Sequence, residues 1–482
     1  MSVFSPYEMI PIPMAVRVAL EQTSALRSEK VSIVQAVNRV LAQKVIAPDS
    51  VPPFPASIKD GYAVVSSDGP GVYDVIGESR AGYLDPIEVK KGTVAYITTG
   101  APVPPGADAV LQIEDTEVAL REGNRISKVH IKKSVPSGYD IRPIGSDILV
   151  GSTVLDPGTL IGEAEVGILA TVGVISVAVH RRPLVAVLST GDEVVDPDSK
   201  PAPGQIRDAN RALLLAALSK AGADTLDLGI AKDTEGHLEA CLARALAADV
   251  DVFITSGGVS MGDRDLVKPL LERNGVVHYG RVLMKPGKPL TFATLSKLEK
   301  VDREKESERT RDKEEEKEKM EEKKQKMLFF GLPGNPVSSF VCFHLVVLPV
   351  LRKMAGWNHP ELRRIHVRIQ NDIKMDPERP EYHRVQIAWA STSETRSETH
   401  HASQLRAPLD LITSWTPSKA NDAVKFEFHA FSTGNQISSR LLSARTANGL
   451  LEVPQASGIL KRGSVVPALL IDGLQSMMTS EC

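Results

Sequence analysis

Residues 250–272 read VDVFITSGGVSMGDRDLVKPLLE, and the rest of the chain is organised around this stretch. Val250 to Thr255 form a short apolar run rich in β-branched side chains, which is typical of a buried strand. Ser256, Gly257 and Gly258 follow at once, and two glycines allow a tight turn that comes close to a ligand. The sequence therefore predicts a strand that ends in a ligand-binding turn.

A helix is predicted after this turn, from Leu266 to Glu272 and slightly beyond, with Ser260 and Asp263 as its candidate caps. A strand, a glycine turn and a helix start present free backbone N–H groups and a helix dipole to a phosphate or another oxyanion. Asp263 and Asp265 suit a hard metal ion such as Mg²⁺, although helix capping and a solvated first turn explain either residue equally well.

A second short stretch, LMKPGKPLTF at residues 283–292, places Lys285 and Lys288 on either side of a Pro-Gly turn. An exposed basic turn is the alternative interpretation of these two lysines. Together with the glycine turn and the two aspartates, they indicate a site for a phosphate-bearing substrate and a divalent ion.

The bulk composition excludes several classes of protein. The chain has 482 residues, which predicts three or four domains, and a net charge of −3, which argues against a nucleic-acid partner. Cys241, Cys342 and Cys482 lie far apart, so neither a zinc site nor a disulfide framework is indicated. No signal peptide is visible, and the apolar run Phe340 to Leu351 is shorter than the roughly 20 residues that span a membrane. We predict a cytoplasmic protein without a membrane span.

The first third of the chain reads as an elongated subdomain with a β-rich insertion. Helical spacing is found in Pro13 to Ser24, in Val31 to Val40 and in Glu163 to Val172. Between them, short strands alternate with turn residues from Gly71 to Ile131. We predict subdomain I from residues 9–48 and 140–180, and subdomain II from residues 49–139.

Two loops of this region carry candidate site residues. The proline-rich segment PPFPASIKDGYAV (52–64) delivers Asp60 to the start of a strand, although Asp60 before a glycine is also an ordinary turn residue. Thr98, Thr99 and Gly100 form a second loop whose hydroxyl and amide groups could face an anion, and Asp147 follows in IRPIGSD (141–147).

Residues 181–356 alternate between apolar strands and helices of 10 to 15 residues, which predicts βαβ units and a parallel sheet as subdomain III. Ligands of such sheets bind at the carboxyl ends of the strands. Those ends carry Ser189 to Glu193, Asp233 and Ser256 to Gly258, so the polar groups fall on one edge.

The end of subdomain III contains a charge run and a second turn. Residues 297–326 are a nearly balanced run of acidic and basic residues, which we interpret as a solvated insertion in a hairpin loop, with an interaction segment as the alternative. FGLPGNPVSS (330–339) then predicts a strand, a turn at Pro333 and Gly334, and a buried helix from Pro336 with Ser339 in its first turn. Residues 357–474 alternate like the strands of a small barrel-type β domain, subdomain IV, which contains Arg384 in EYHR.

Four motifs together identify a resemblance. STGDE (189–193), TSGGVSMGDRD (255–265), MKPGKP (284–289) and GLPGNPVS (331–338), in this order, closely resemble the molybdopterin molybdenumtransferases, or molybdenum insertases. This family includes the E domains of gephyrin and of the plant molybdenum-cofactor protein, and PPFPASIKDGYAV and GQIRDANRA make the plant type the nearest. The match covers residues 9 to about 471, apart from the charge run and a polar segment after Ser391.

The resemblance implies a fold class of α/β plus β. The chain would be elongated, with a βαβ three-layer molybdopterin-binding domain, a β-rich insertion and a C-terminal barrel. It would form a homodimer whose active site lies between the α/β subdomain of one protomer and the β-rich subdomain of the other. The reaction would insert molybdate into adenylylated molybdopterin and hydrolyse its pyrophosphate bond with Mg²⁺ or a similar divalent cation, giving molybdenum cofactor and AMP.

The same resemblance assigns roles by motif position. It implies these catalytic residues: Asp265, Ser260, Lys285, Lys288 and Asp60. It implies these metal ligands: Asp265, Glu193, Asp233 and Asp263. It implies these substrate-binding residues: Ser256, Gly257, Gly258, Thr98, Thr99, Gly100, Asp147, Pro286, Gly287, Pro333, Gly334, Ser339 and Arg384. Carboxylates would hold the metal and orient water, while lysines and amides would neutralise developing charge.

Two features of the sequence depart from the family pattern. Eukaryotic relatives carry a second, adenylyltransferase domain with an S-G-G-T-G motif, which is not found here, so this step would come from a partner or from another part of a longer chain. The charge run is also longer than expected.

The partners expected for such a protein are a molybdopterin adenylyltransferase and molybdoenzyme apoproteins. A gephyrin-like scaffold and a molybdopterin adenylyltransferase are the competing functions.

Overall fold

The computed structural model describes residues 7–82, 86–258, 267–296, 326–391 and 426–473. The chain separates into two compact units, one made of Met1–Arg27 with Arg181–Cys482 and the other of Ser28–His180. The first helix therefore packs within the larger unit, whereas the sequence assigned it to subdomain I. The finer division into four subdomains stays a prediction.

The larger unit is built on a six-stranded sheet. Its strands lie in the spatial order Asp224–Ala231, Leu184–Thr190, Val252–Ser256, Lys326–Leu332, Thr291–Ser296 and Gly275–Tyr279. The first four strands are parallel, and the last two join antiparallel, so the sheet is mixed and not purely parallel as predicted. The predicted hairpin around the charge run is confirmed, because Ser296 pairs with Lys326; the run itself lies outside the described residues.

Helices cover both faces of this sheet, in line with the predicted alternation. They are Ile12–Glu21, Ala209–Lys220, Glu235–Ala247, Val267–Asn274, Pro336–Cys342 and Leu348–Met354, with a π-helical segment, Phe343–Val347, between the last two. One core cluster includes Val187, Phe330 and Val341, and a second, on the opposite side of the strands, includes Phe253 and Leu242. The alternation of side chains along each strand explains these two cores.

The helical stretch Pro336–Met354 is, by length and composition, apolar enough to cross a membrane. However, 72% of its apolar window is buried inside the protein, where it packs in the first core cluster. Such a buried core helix is only weak support for a membrane span. The start of this helix at Pro336 agrees with the prediction from the sequence.

A closed barrel of five strands completes the larger unit and confirms the predicted C-terminal β region. Around the barrel the strands are Arg364–Ile369, Phe426–Ser432, Glu381–Ser391, Gly449–Val453 and Val465–Leu470. Short strands and one 3₁₀ turn accompany the sheet and barrel: Ile10–Pro11, Val194–Val195, Ile206–Arg207, Val282–Leu283, Ile373–Lys374, Ile459–Leu460 and Leu441–Ala444. The interior of the barrel is a separate core that includes Val367, Ile387 and Leu451.

The smaller unit contains a second six-stranded sheet, in the order Ala109–Gln112, Gly61–Val64, Thr93–Ile97, Gly71–Ser79, Arg125–Ile131 and Thr116–Glu122. Its other elements are Ser28–Ser32, Val45–Ile46, Ala56–Ser57, Ile141–Arg142, Thr153–Leu155, Ser176–His180, the helix Glu163–Thr171 and the 3₁₀ turns Ser66–Asp68 and Ile113–Asp115.

One predicted helix of the smaller unit is wrong. Residues Val31 to Val40 do not form a helix; Ser28–Ser32 is a strand that pairs antiparallel with Ser176–His180, and turns follow it. Val34 is 72% exposed, so the helical spacing of the valines does not correspond to one buried face. Pairing with a strand more than 140 residues away overrides the local pattern.

Candidate active site

The glycine turn after Val252–Ser256 lies close to the end of the neighbouring strand Leu184–Thr190. Gly257 and Gly258 have φ of +90° and +66°, in the left-handed region that favours glycine. A Cβ on Gly257 would lie 2.8 Å from the carbonyl oxygen of Thr190, and one on Gly258 would lie 2.9 Å from the Thr190 Oγ1. The Gly257 N–H donates to the Leu332 carbonyl at 3.0 Å. The predicted turn is therefore built from the carboxyl ends of three neighbouring strands.

Asn210 supports this turn, and the sequence analysis did not assign it a role. Its Nδ2 donates to Ser256 Oγ at 2.6 Å and to the Gly334 carbonyl at 2.7 Å, which joins two predicted substrate-binding turns. Its Oδ1 is buried without a hydrogen-bond partner among the described residues. Asp208, buried beside it, caps the helix Ala209–Lys220 through the Arg211 N–H and accepts from Ser189 Oγ. The signal was present as Asp-x-Asn at a helix start.

Two predicted metal ligands, Glu193 and Asp233, follow adjacent strands at the same edge. The exposed Glu193 carboxylate folds over Gly191, where an added Cβ would be 2.6 Å from Glu193 Oε2. The Asp233 N–H donates to Asp192 Oδ1 at 3.4 Å, so Asp192 joins the two strand ends. Across the described ranges, no group of three acidic, histidine or cysteine side chains is close enough to hold a metal.

Three further predicted site residues cannot be placed in this geometry. Ser260, Asp263 and Asp265 lie between Gly258 and Val267, outside the described residues. Their predicted catalytic, capping and metal-binding roles therefore stay predictions.

The turn Lys285–Lys288 lies against the start of the barrel strand Glu381–Ser391. The Lys285 N–H donates to the Pro380 carbonyl at 2.9 Å, and the Tyr382 N–H donates to the Lys285 carbonyl at 2.8 Å. The Lys285 ammonium lies 3.1 Å from Glu381 Oε2 and 3.5 Å from Asp376 Oδ2. The cation is thus held in place by two carboxylates of the barrel region.

The other residues of this turn are fitted closely to the core. Pro286 and Gly287 are buried, and a Cβ on Gly287 would lie 2.6 Å from the Cys342 sulfur. Lys288 is half-buried, and its ammonium makes no hydrogen bond or ion pair within the described part of the chain. One lysine of the pair is therefore tethered, while the other remains available to an anion.

Arg384 lies on the same barrel strand and is fully buried. Its Nε donates to Ser443 Oγ at 3.0 Å, whereas Nη1 and Nη2 are buried with no partner among the described residues. Burial lowers the pKa of Arg384 from its ordinary value to about 10, and the nearby Glu381 carboxylate opposes this effect. The side chain therefore stays charged at neutral pH, with two donor groups that lack an acceptor. Among the described residues, these two donors make Arg384 the strongest candidate for contact with an oxyanion.

The turn at Pro333 and Gly334 and the helix after it complete the sheet edge. Ser339 is fully buried, and its hydroxyl donates to the Pro333 carbonyl, which stabilises the turn. The Val337 N–H donates to the Ser438 carbonyl at 3.0 Å, so the helix start contacts the loop between the barrel strand Phe426–Ser432 and the 3₁₀ turn Leu441–Ala444.

In the smaller unit, Asp60 closes the loop of Thr98, Thr99 and Gly100. Its Oδ1 accepts from the Thr99 N–H at 2.7 Å and from the Thr99 hydroxyl at 3.1 Å. Gly100 has a φ of +76° with open space around its Cα. Asp147 accepts a hydrogen bond from Arg142. The structure therefore brings Asp60 into contact with the threonine loop. Both were predicted from the sequence as site residues.

Comparisons with known families agree with these features. The sequence matches the family descriptions "MoeA N-terminal region (domain I and II)" over residues 10–173, "Probable molybdopterin binding domain" over 186–353 and "MoeA C-terminal region (domain IV)" over 419–471. The three matches follow the order of the two sheets and the barrel.

Individual relatives show the same resemblance. Gephyrin of Dictyostelium discoideum is 40% identical over 97% of this chain, which spans 63% of that relative's length. Molybdopterin molybdenumtransferase 2 of Mycobacterium tuberculosis is 31% identical and is matched over 91% of this chain and 94% of its own. The solved molybdopterin biosynthesis MoeA protein of Pyrococcus horikoshii is 26% identical, with a TM-score of 0.71 over 97% of this chain and 100% of the other.

Proposed function

Because the chain belongs to the molybdopterin molybdenumtransferase family, we propose that it is a molybdenum insertase, a transferase. It inserts molybdate into adenylylated molybdopterin, and water cleaves the phosphoanhydride bond between the two phosphates. The products are molybdenum cofactor and AMP. The observation that carries this proposal is the buried Arg384 guanidinium, whose two outer nitrogens have no acceptor among the described residues.

The residues that bind the oxyanion substrate in this proposal are Arg384, Lys285 and Lys288. A buried cation without a counter-ion costs free energy, and a bound oxyanion removes this cost by accepting from both Nη atoms. Lys285, fixed by Glu381 and Asp376, adds positive charge from the turn that lies against the start of the strand Glu381–Ser391, and Lys288 adds a second ammonium. A tetrahedral dianion such as molybdate matches this set of fixed donors.

The groups that bind the phosphates in this proposal are the glycine turn and the carboxylates at the sheet edge. Ser256, Gly257 and Gly258 bring backbone close to the substrate, as glycine turns after strands do in nucleotide-binding sheets. Glu193, Asp233 and the predicted Asp263 and Asp265 offer hard oxygen donors, which fit Mg²⁺ in chemistry. When bound, Mg²⁺ would neutralise charge on the pyrophosphate.

The protein's partners follow from the substrate and product of this reaction. An adenylyltransferase must supply adenylylated molybdopterin, and molybdoenzyme apoproteins must take up the product. We also propose a cytoplasmic homodimer in which Asp60, Asp147 and the Thr98–Gly100 loop contribute to substrate binding. Sedimentation of the purified chain tests the oligomeric state.

Turnover tests the function. The purified chain is given adenylylated molybdopterin, molybdate and Mg²⁺; AMP release and reconstitution of a molybdenum-free nitrate reductase are measured. We expect activity in the parent and its loss in Asp265→Asn and Glu193→Gln. Asp198→Asn, an exposed acid on the loop after Glu193, serves as the matched control and should keep full activity.

A folded parent that binds the nucleotide but never releases AMP would exclude the insertase. A gephyrin-like scaffold would then be the better account. Transfer of AMP onto free molybdopterin from ATP would instead identify an adenylyltransferase.

A further inference from the structure

A line of three polar side chains leads away from the Lys285 ammonium into the barrel. Glu381 Oε2 accepts from Lys285 at 3.1 Å, and Glu381 Oε1 lies 3.0 Å from His383 Nδ1. His383 Nε2 in turn lies 2.8 Å from Ser432 Oγ. Glu381 and His383 are 5% and 7% exposed, so solvent cannot replace these contacts. Glu381 already holds Lys285, whereas neither His383 nor Ser432 has yet been given a role in the site.

The hydrogen bonds of this line converge on the Glu381 carboxylate. An ionised Glu381 can only accept, so His383 carries a proton on Nδ1 and donates it to Glu381 Oε1. On the other side of the ring, His383 Nε2 lies beside Ser432 Oγ, which also accepts from the Gly434 N–H at 3.2 Å. Burial raises the pKa of Glu381, but the hydrogen bonds from His383 and Lys285 outweigh this and hold the pKa below its ordinary value. Glu381 is therefore an anion with both oxygens occupied.

We infer that His383 is a positioning residue for the oxyanion site, because it fixes the Glu381 carboxylate that holds the Lys285 ammonium. This inference rests on the proposed molybdenum insertion and extends it to residues that touch no substrate. Without the Nδ1–H donor, Glu381 turns away from its present orientation or binds Lys285 more tightly through both oxygens. Either change moves the Lys285 cation relative to the buried Arg384 guanidinium.

A second pair in the same barrel has the same chemistry without the link to the turn. His429 and Glu427 both lie on the strand Phe426–Ser432, next to the strand that carries His383. His429 Nε2 lies 3.0 Å from Glu427 Oε1, and His429 is 4% exposed. Glu427 is held by Arg368, with Nε–Oε1 at 2.6 Å, and not by a lysine of the substrate turn. His429 is therefore a matched control for a buried histidine that supports a glutamate.

The experiment compares three variants of the full chain with the parent. His383→Leu removes the donor to Glu381, whereas His383→Asn keeps a side-chain N–H close to the position of Nδ1. His429→Asn is the matched control. Steady-state AMP release is measured against molybdate concentration, and the rate of acylation of the Lys285 amine is measured by peptide mass spectrometry. Thermal unfolding verifies that each variant is folded.

For His383→Leu we expect the KM for molybdate to rise about tenfold, the cost of losing one well-placed buried hydrogen bond, with kcat within about twofold. His383→Asn should restore most of the affinity. Lys285 acylation should change at least threefold in the leucine variant and not in the control. Equal KM values for all variants, or a fall in kcat alone, would overturn the inference.

The acylation measurement separates this inference from the proposed function. If the parent releases no AMP, the insertase proposal fails, yet a change in Lys285 reactivity in His383→Leu but not in His429→Asn still supports the positioning role. Unchanged Lys285 reactivity in a folded His383→Leu overturns that role, whatever the activity of the parent.

Discussion

Replacing Arg384 by methionine should separate binding from stability. Methionine has a similar length and no charge, so it fills the space while removing both unpartnered Nη groups. Each hydrogen bond from a charged donor contributes about 1.5–3 kcal/mol. Loss of two such bonds to an oxyanion therefore costs about 3 kcal/mol or more, which weakens molybdate binding by at least about 100-fold.

The stability of the folded chain should respond in the opposite way. Burial lowers the pKa of Arg384 from its ordinary value to about 10, which corresponds to a penalty of about 3 kcal/mol on the charged form. Because the folded-state pKa lies below the unfolded one, stability rises only as pH increases above about 10 towards the ordinary pKa of arginine, and the whole penalty is present at pH 7. Methionine removes this penalty and loses the bond to Ser443, worth about 1 kcal/mol, so the unfolding free energy should stay level or rise.

The assay is molybdate titration by calorimetry together with urea unfolding of the same samples. Arg368→Met is the control, because Arg368 is fully partnered by Glu427 through Nε and Nη2 in the same barrel. The control should lose stability and keep molybdate affinity. If Arg384→Met is strongly destabilised and binds molybdate normally, Arg384 is a structural residue and the oxyanion argument is refuted.

Three further predictions test the supporting structure. Gly258→Ala should destabilise the chain by about 1–3 kcal/mol more than Gly222→Ala in urea unfolding, because both have positive φ but only Gly258 has neighbours, 2.9 Å from its Cβ position. Asn210→Ala removes the donor to the buried Ser256 hydroxyl and to the Gly334 carbonyl, and should lower the unfolding free energy by about 1–3 kcal/mol; an unchanged urea midpoint would contradict this. The hydrogen bond from Arg368 lowers the pKa of Glu427 from 4.5 to about 2, so its stabilisation is complete above pH 4.5 and is lost as pH falls towards 2. Glu427→Gln should therefore flatten the dependence of the urea midpoint on pH in this window, and an unchanged slope would contradict the assignment.

Local patterns in the sequence predicted most elements and several of their ends. Local patterns favour the strand Thr93–Ile97 and the helix Glu235–Ala247, because each has turn or capping residues next to a periodic apolar pattern. They do not indicate the strand Thr116–Glu122. Its side chains are mostly exposed and half are charged or polar, so it has no apolar alternation, and its pairing with Arg125–Ile131 alone maintains it.

The sequence alone determined the order of the motifs, the strand-to-turn positions of the candidate site and the family to which the chain belongs. These features depend on neighbours in the chain, such as Gly257 and Gly258 directly after a buried strand. Only the tertiary structure decided that Lys285 is held by Glu381 and that Arg384 is a buried cation without an acceptor among the described residues. The reason is physical: burial and ion pairing depend on segments that lie about a hundred residues apart, and no local periodicity records which of them meet.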